Sequence, residues 1–424
     1  MTAFPLQPIG VKSQAVNFQA TPPLSLYIHI PWCLRKCPYC DFNSHELRGI
    51  PTPSMREGGE ECGIPAFLEK QYVAALVRDL ELALPLIWGR KVCTMFFGGG
   101  TPSLLSGESV AEILRQVRML LPLDLNAEIT LEANPGTVEA GRFAAYREAG
   151  VNRLSLGIQS FNDAHLRALG RIHGADEARR AIEIAQRHFA NINLDLMYAL
   201  PGQTPEQALL DAQAALSFAP QHLSCYHLTL EPHTQFHRNP PLLPDDDTSS
   251  EMQAHIEELL AAQGYEHYET SAFAQPKKRS RHNLNYWQFG DYLGLGAGAH
   301  CKLSFHDKVI RQARHKLPQA YLDAVAQGKP VQEEHEVATA DLAFEFMMNA
   351  LRLNEGFDTA LFQERTSLPL LSLRRELEEA EKRGLLFRDH RRIAPTGLGR
   401  RFLNDLLEIF LTAKDKEFSR VSAT

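Results

Sequence analysis

The chain has 424 residues, with 44% hydrophobic and 22% charged content, which is enough for one large globular domain and a smaller one. Its formal net charge of −7 argues against non-specific binding of the whole molecule to nucleic acid. The seven cysteines are too few for the disulfide framework of a secreted protein, and no signal-peptide pattern is present. No apolar run approaches the roughly 18 residues of a membrane helix. We therefore expect a cytoplasmic protein.

Residues 1–23 contain four prolines and no sustained periodicity, and we expect a disordered lead-in. Short apolar runs then predict six strands: Leu24–Ile30, Val92–Phe97, Glu128–Glu132, Arg153–Ile158, Ile192–Met197 and His222–Leu228. Amphipathic stretches between them predict five helices: Phe67–Leu84, Ser109–Leu121, Val138–Ala149, Asp176–His188 and Thr204–Ala219. This alternation implies an α/β fold of parallel β/α units wound into a full or partial barrel, with active residues at the carboxyl ends of the strands.

The remainder of the chain predicts a second, smaller domain. We expect the barrel and an extension over residues 24–310, a connection over 311–337, and a C-terminal domain over 338–424. The C-terminal pattern is helix, short helix, helix, an extended pair and a last helix: Ala338–Leu353, Thr359–Arg365, Ser372–Gly384, Leu386–Ala394 and Gly397–Leu411. That order is winged-helix-like.

Three cysteines lie within eight residues, directly after the first predicted strand. Cys33, Cys37 and Cys40 have the spacing C-x3-C-x2-C, and such a loop can hold three corners of a [4Fe–4S] cluster while the fourth iron stays open to a small molecule. A zinc knuckle, a disulfide or three core cysteines are the alternatives. Zinc would need a fourth ligand, and the second pair of an ordinary zinc site is missing here.

Polar or glycine-rich groups recur where the predicted strands end. Gly98–Ser103 follows the second strand, Glu132 ends the third, Gln159 follows the fourth, and Asp195 lies in the fifth. A tight turn explains the glycines alone, and a solvated strand end explains any one polar residue. Their recurrence at one edge of a barrel favours a shared ligand.

These segments together resemble the radical S-adenosylmethionine (SAM) superfamily, and within it the branch of the oxygen-independent coproporphyrinogen III dehydrogenases and the HemW haem chaperones. The resemblance implies a partial (β/α)6 barrel, a [4Fe–4S] cluster held by the cysteine triad, and SAM on the open iron. It further implies that residues near the strand ends contact SAM, or the cluster in the case of Tyr39: Tyr27, Tyr39, Gly99, Gly100, Thr101, Glu132, Gln159, Arg171 and Asp195. For Arg171, a surface ion pair is an equally good explanation.

Two features discriminate within this branch. The dehydrogenases have a fourth cysteine two residues after the third, where this chain has Phe42. The segment His282-Asn-Leu-Asn-Tyr-Trp287 matches the H-N-x-x-Y-W haem-binding motif of the chaperones, so His282, Asn283, Tyr286 and Trp287 are expected to contact haem. Just upstream, Lys277, Lys278, Arg279 and Arg281 could pair with haem propionates or form a solvated loop.

The resemblance therefore predicts a haem chaperone that passes haem to an acceptor haem protein, which could be membrane-bound. A coproporphyrinogen dehydrogenase is the alternative, and a homodimer is an option that the sequence leaves open. A cluster-sensing nucleic-acid-binding regulator is a third candidate, since residues 374–401 have nine Lys or Arg and five Asp or Glu. The helix Ser372–Gly384 contains four glutamates that phosphates would repel, so we expect no nucleic-acid partner.

Overall fold

The structure is a computed structural model and describes residues 16–47, 64–135 and 140–411. Most of the expected lead-in, residues 1–15, lies outside the described residues, as do the last thirteen residues of the expected C-terminal domain. In the described part of the chain, no helix combines the length and apolarity needed to cross a membrane.

The first half of the described chain alternates strands with helices. The strands are β1 (Leu24–Ile30), β2 (Trp32–Cys33), β3 (His45–Glu46), β4 (Val92–Gly99), β5 (Leu123–Ala133), β6 (Arg153–Gln159), β7 (Ile192–Tyr198) and β8 (His222–His227). The helices are α1 (Ala66–Ala83), α2 (Gly107–Leu120), α3 (Ala140–Ala149), α4 (Asp163–Ala168), α5 (Ala175–His188), α6 (Pro205–Leu216), α7 (Gln235–Arg238) and α8 (Asp246–Ala262). The six predicted strands and five predicted helices are confirmed.

Local sequence explains where several of these elements begin. The side chain of Thr204 accepts the backbone N–H of Gln207 and the Gln207 side chain returns the bond to Thr204, while Pro205 occupies the first turn of α6. Ser106 caps α2 by accepting the N–H of Ser109. Strand β1 is buried on both faces, as its nearly continuous apolar sequence requires in the middle of a parallel sheet.

The second half contains short strands that periodicity did not reveal. They are β9 (Glu266–Glu269), β10 (Ala272–Ala274), β11 (Asp291–Leu295), β12 (His300–Ser304), β13 (Val309–Arg314) and β14 (Val331–Glu336), with helices α9 (Arg281–Trp287) and α10 (Pro318–Ala326) between them. The expected connection, residues 311–337, thus contains the end of β13, α10 and β14.

Twelve strands of the described residues form one sheet, in the order β14-β13-β12-β11-β1-β4-β5-β6-β7-β8-β10-β9. The run from β1 to β8 through β4, β5, β6 and β7 is parallel throughout. Strand β11 adds a further parallel neighbour on the other side of β1, with Leu24 opposite Asp291. This is the α/β arrangement of six consecutive β/α units that the sequence predicts, so the carboxyl ends of these strands share one edge.

The chain divides into two compact units. The larger comprises residues 23–303 and 312–334, and the described part of the smaller comprises residues 16–22, 304–311 and 335–411. The smaller unit contains α11 (Thr339–Ala350), β15 (Phe357–Asp358), α12 (Thr359–Thr366), α13 (Arg374–Lys382), β16 (Leu386–Arg388), β17 (Arg392–Pro395), α14 (Gly397–Arg401) and α15 (Leu403–Ile409). The single last helix of the prediction is divided, because Phe402 adopts a non-helical backbone (φ −111°, ψ 47°).

Candidate functional site

The cysteine loop follows β1 directly. Cys33 is buried, and Cys37 and Cys40 are partly exposed. The loop is closed by backbone hydrogen bonds, including one of 3.1 Å from the N–H of Cys40 to the carbonyl of Cys37. Burial raises the pKa of the Cys33 thiol, and the nearby Cys40 and Cys37 thiols raise it further. Among the described residues, no group of three or more His, Cys, Asp or Glu is placed to hold a metal ion.

Two of the three sulfur atoms accept hydrogen bonds, and a lysine ammonium acts electrostatically on the third. The hydroxyl of Thr101 donates to Sγ of Cys33 at 3.5 Å, and Nη1 of Arg171 donates to Sγ of Cys37 at 3.6 Å. Burial raises the pKa of Cys40, and the Lys36 ammonium is one of the groups that oppose the shift. Donors of this kind stabilise thiolates, which are the ligand form that an iron–sulfur cluster requires. Although the described residues contain no single-ion site, the donor chemistry around the cysteine sulfur atoms fits the more widely spaced thiolates of a [4Fe–4S] cluster.

The glycine turn after β4 lets other groups approach its backbone. A Cβ at Gly98 would lie 2.9 Å from the ring of Tyr27, and one at Gly100 would lie 2.5 Å from the carbonyl oxygen of Trp32 and 3.1 Å from Sγ of Cys33. Gly99 has φ +114°, a conformation that favours glycine. The cysteine loop and the predicted SAM-binding turn are thus packed against each other, and glycine is required at the contact.

Two half-buried carboxylates lie on the parallel sheet, Glu132 on β5 and Asp195 on β7. Burial raises the pKa of Glu132 to about 8, and the negative charge of Asp195 raises it as well, while the backbone N–H of Gly99 and the Arg153 guanidinium oppose the shift. Burial also raises the pKa of Asp195, against hydrogen bonds from Ser155 at 2.9 Å and from Asn193 at 2.9 Å. The pair can accept donors from a cationic or hydroxylated ligand.

Arg171 is not a surface ion pair. Its Nη2 donates to Oδ1 of Asn134 at 2.5 Å and to the carbonyl of Gly157 at 2.9 Å, while Nη1 reaches Cys37. Gln159, at the end of β6, has φ +70°. Tyr39 lies beside the same thiol, and burial raises its pKa. The structure therefore places Arg171 and Tyr39 beside the cysteine loop, and Gln159 at the end of the neighbouring strand β6.

Two residues of this site were absent from the list of site residues predicted from the sequence. Asn134, within the Glu-Ala-Asn-Pro segment, bonds both Arg171 and the Thr101 hydroxyl, at 3.1 Å for the latter. Buried His29 accepts or donates at both ring nitrogens, to the Tyr27 hydroxyl at 3.1 Å and the Asn43 carbonyl at 2.9 Å. The only sequence signal for His29 was its spacing of two from Tyr27, which places both on one face of β1.

The predicted haem motif lies on α9, and its histidine faces inward. His282 is only 2% exposed. Its Nδ1 is 2.9 Å from the Thr94 hydroxyl, and its ring stacks on Phe96 with centroids 5.0 Å apart. Burial lowers the pKa of His282 to about 3, so the imidazole is neutral. Nε2 is buried and has no hydrogen-bond partner among the described residues. Tyr286 contacts the same ring edge-on at 5.1 Å.

The other residues of the motif region are also engaged within the larger unit. Asn283 donates its backbone N–H to the Ser280 hydroxyl at 3.3 Å, which caps α9, and both Asn283 and Trp287 are partly buried. In the basic run, Arg279 pairs with Glu266 at 2.9 Å, and Arg281 donates to the carbonyl of Asn126 at 2.5 Å. Two of the four cations expected to pair with haem propionates, Arg279 and Arg281, thus already bond other groups of the protein.

Comparisons with known proteins agree with this geometry. The radical SAM superfamily model matches residues 27–213, and the HemN C-terminal domain model matches residues 337–402. The chain is 47% identical to the haem chaperone HemW of Escherichia coli (strain K12) over 395 residues, which cover 92% of this chain and 98% of that protein. It is 45% identical to the haem chaperone HemW of Haemophilus influenzae, with the same coverage of both chains.

The chain belongs to the HemW family of radical SAM proteins.

Structural similarity extends this family relationship to the fold. The structure of coproporphyrinogen III oxidase (HemN) from Escherichia coli, a radical SAM enzyme, matches with a TM-score of 0.75 at 24% identity, covering 92% of this chain and 90% of that one. The α/β radical SAM fold with a C-terminal helical domain is therefore confirmed for this HemW-family chain. Membership of the superfamily implies SAM and a [4Fe–4S] cluster as cofactors.

Proposed function

We propose that this protein is a haem chaperone, which binds haem through the α9 motif and passes it to an acceptor haem protein. The observation on which this depends is the state of His282. A haem-ligating imidazole must be neutral, with one nitrogen held and the other available. Thr94 holds Nδ1, Nε2 has no partner among the described residues, and the pKa of about 3 keeps the ring neutral at physiological pH.

Haem access to His282 requires α9 to shift, since the imidazole is buried in this arrangement. Phe96 stacks on His282 and, at 6.3 Å between centroids, on Tyr27. Tyr286 and Trp287, both partly buried, supply aromatic surface for it.

The cysteine triad would hold the [4Fe–4S] cluster, with SAM contacted by Tyr27, the glycine turn, Glu132, Gln159, Arg171 and Asp195. When bound, the cluster and SAM supply the electron-transfer chemistry of the superfamily. The protein's own groups would orient SAM, since Glu132 and Asp195 would accept its polar hydrogens and Arg171 would meet its carboxylate. We propose a docking role for the C-terminal unit, and the cytoplasm as the compartment.

Three basic residues of the C-terminal unit are paired with glutamates, which weakens the case for nucleic-acid binding and leaves docking as the proposed role. Arg374 and Arg383 pair with glutamates on the same helix at 2.7 Å, and Arg388 pairs with Glu381 at 2.7 Å. Such exposed pairs add little stability. They do offset the charge of these three arginines, which a phosphate backbone would otherwise attract.

Haem titration of the purified, anaerobically reconstituted protein tests the proposal. A Soret shift with a defined endpoint is expected, and His282→Ala should weaken binding. His165→Ala is the matched control, because His165 is also buried, has an unpartnered ring nitrogen among the described residues and lies outside the motif. Equal haem affinity in the two variants would contradict the role of His282. Release of carbon dioxide from coproporphyrinogen III with SAM would instead indicate the dehydrogenase.

A further inference from the structure

A line of buried polar side chains crosses the larger unit from the carboxylate Asp195 to the first turn of α9. Asn193 Nδ2 lies 2.9 Å from Asp195 Oδ1, and Asn193 Oδ1 lies 2.6 Å from His222 Nδ1. His222 Nε2 lies 2.8 Å from the hydroxyl of Tyr268, which accepts the backbone N–H of Ser280 at 3.3 Å. We call these five residues, Asp195, Asn193, His222, Tyr268 and Ser280, the relay.

The relay has one consistent direction. A carboxylate only accepts, so the Asn193 amide must present its NH₂ to Asp195 and its oxygen to His222. His222 therefore donates from Nδ1 and accepts at Nε2 from the Tyr268 hydroxyl, whose oxygen accepts from Ser280. Every hydrogen bond thus points toward the charge of Asp195, and bonds aligned in this way strengthen one another.

Because residues of the relay are buried, breaking one of its hydrogen bonds costs free energy. Asn193, His222, Tyr268 and Ser280 are each at most 2% exposed, so water does not replace a lost partner. Burial also holds the pKa of His222 well below its ordinary value, which keeps the ring neutral and its two nitrogens distinct. A change in the hydrogen bonds at Asp195 therefore alters the hydrogen bond at Ser280, and the reverse.

The far end of the relay fixes the helix that holds the haem motif. Ser280 caps α9 through its hydroxyl, and Glu128 accepts the backbone N–H groups of Arg281 at 3.1 Å and His282 at 3.0 Å. Moving the first turn of α9 to expose His282 would break the bond from Ser280 to Tyr268. The near end, Asp195, is a proposed SAM contact.

We propose that the relay couples SAM binding to haem binding, with His222 as the central positioning residue. This inference rests on the proposed function. Hydroxyl groups of bound SAM would share the Asp195 carboxylate with Asn193 and Ser155, which weakens the existing bonds on that acceptor. A weaker relay lowers the cost of releasing the first turn of α9. SAM therefore raises the affinity for haem, and haem raises the affinity for SAM by the same factor.

Haem titrations of the reconstituted full-length protein with and without SAM test this coupling. For the wild type we expect SAM to raise haem affinity roughly 5-fold or more, the lower range of coupling between sites. In His222→Leu and Tyr268→Phe we expect the SAM effect to vanish, and haem affinity without SAM to rise toward the SAM-bound value. A general loss of structure would lower that affinity instead. His222→Gln keeps one donor and one acceptor, so it should retain coupling.

Tyr265→Phe is the control, because it also removes a buried tyrosine hydroxyl, one that bonds the carbonyl of Pro220 outside the relay. It should behave as wild type. The coupling is overturned if SAM does not change the haem affinity of the wild type. It is also overturned if the SAM effect is undiminished in both His222→Leu and Tyr268→Phe. In either case the haem-chaperone proposal stands. Absence of haem binding in every protein, wild type included, overturns both.

Discussion

Thr94 and His282 are 188 positions apart in the sequence, yet the Thr94 hydroxyl and Nδ1 of His282 lie 2.9 Å apart in the interior of the larger unit. Thr94 also bonds the hydroxyl of Ser25 at 2.7 Å, which in turn accepts the side-chain amide of Asn285 at 2.8 Å. The imidazole is therefore oriented by β4 and β1 as well as by its own helix. Orientation of this kind fixes which ring nitrogen is available to a metal.

Replacement of Thr94 by Val should leave His282 in place but remove the bond at Nδ1. We expect haem affinity to fall about tenfold, which is typical when a metal-ligating histidine loses its orienting partner. Spectroscopic haem titration measures the change. Thr130→Val is a matched control, because Thr130 is a buried threonine whose hydroxyl has no partner among the described residues. Equal losses in the two variants would show that Thr94 acts only through packing.

The cysteine triad can be tested one residue at a time. Cys33→Ala, Cys37→Ala and Cys40→Ala should each abolish stoichiometric iron and sulfide after anaerobic reconstitution, because each removes one thiolate from the proposed cluster. Cys93→Ala, a partly exposed cysteine outside the loop, should incorporate iron and sulfide as wild type. Retention of a full cluster by any triad variant would remove that cysteine from the ligand set.

Sequence periodicity predicted the first half of the fold well, for a physical reason. Strands such as Leu24–Ile30 are buried on both faces, so their residues form nearly continuous apolar runs between amphipathic helices. The second half lacks that signal. Strands β9 and β10 have four and three residues, and β11 is specified by pairing with β1, whose partner residues lie more than 260 positions away.

The residues of the site divide in the same way, into those that the sequence identifies and those that only the fold brings together. Cys33, Glu132 and Arg171 lie in local segments whose spacing or resemblance identifies them. His222 and Tyr268 are single polar residues on separate strands, and only the fold brings Nε2 of His222 within 2.8 Å of the Tyr268 hydroxyl. The burial of His282 was likewise unforeseen, since it results from packing of α9 against β4, β1 and β11 and not from the motif itself.

Arg171 links the cysteine loop to β6 through Cys37 and the Gly157 carbonyl. Lysine has one compact charge and cannot make these divergent bonds at once. Arg171→Lys should therefore retain a cluster but bind SAM about tenfold more weakly, as measured by equilibrium binding under anaerobic conditions. Arg167→Lys, on an exposed position of α4, is the control. Unchanged SAM affinity in Arg171→Lys would leave Arg171 with a structural role alone.

The raised pKa of Glu132 makes folding stability depend on pH. Burial and the charge of Asp195 shift the pKa of Glu132 from 4.5 to about 8 in the folded protein. Between these values the unfolded chain releases a proton that the folded protein keeps, so this contribution to stability is complete below pH 4.5 and is lost as the pH rises to 8. The steepest loss is about 1.4 kcal/mol per pH unit.

Glu132→Gln cannot titrate, so the difference between wild type and this variant isolates the effect. We expect the stability of the wild type relative to Glu132→Gln to decrease steadily from pH 5 to pH 8 and then to level off, as measured by anaerobic thermal unfolding. Comparing the two proteins at each pH cancels the contributions of the groups that titrate alike in both. A difference that stays constant over this range would mean that Glu132 is ionised in the folded protein, and its carboxylate would then be ready to accept the SAM ammonium without first losing a proton.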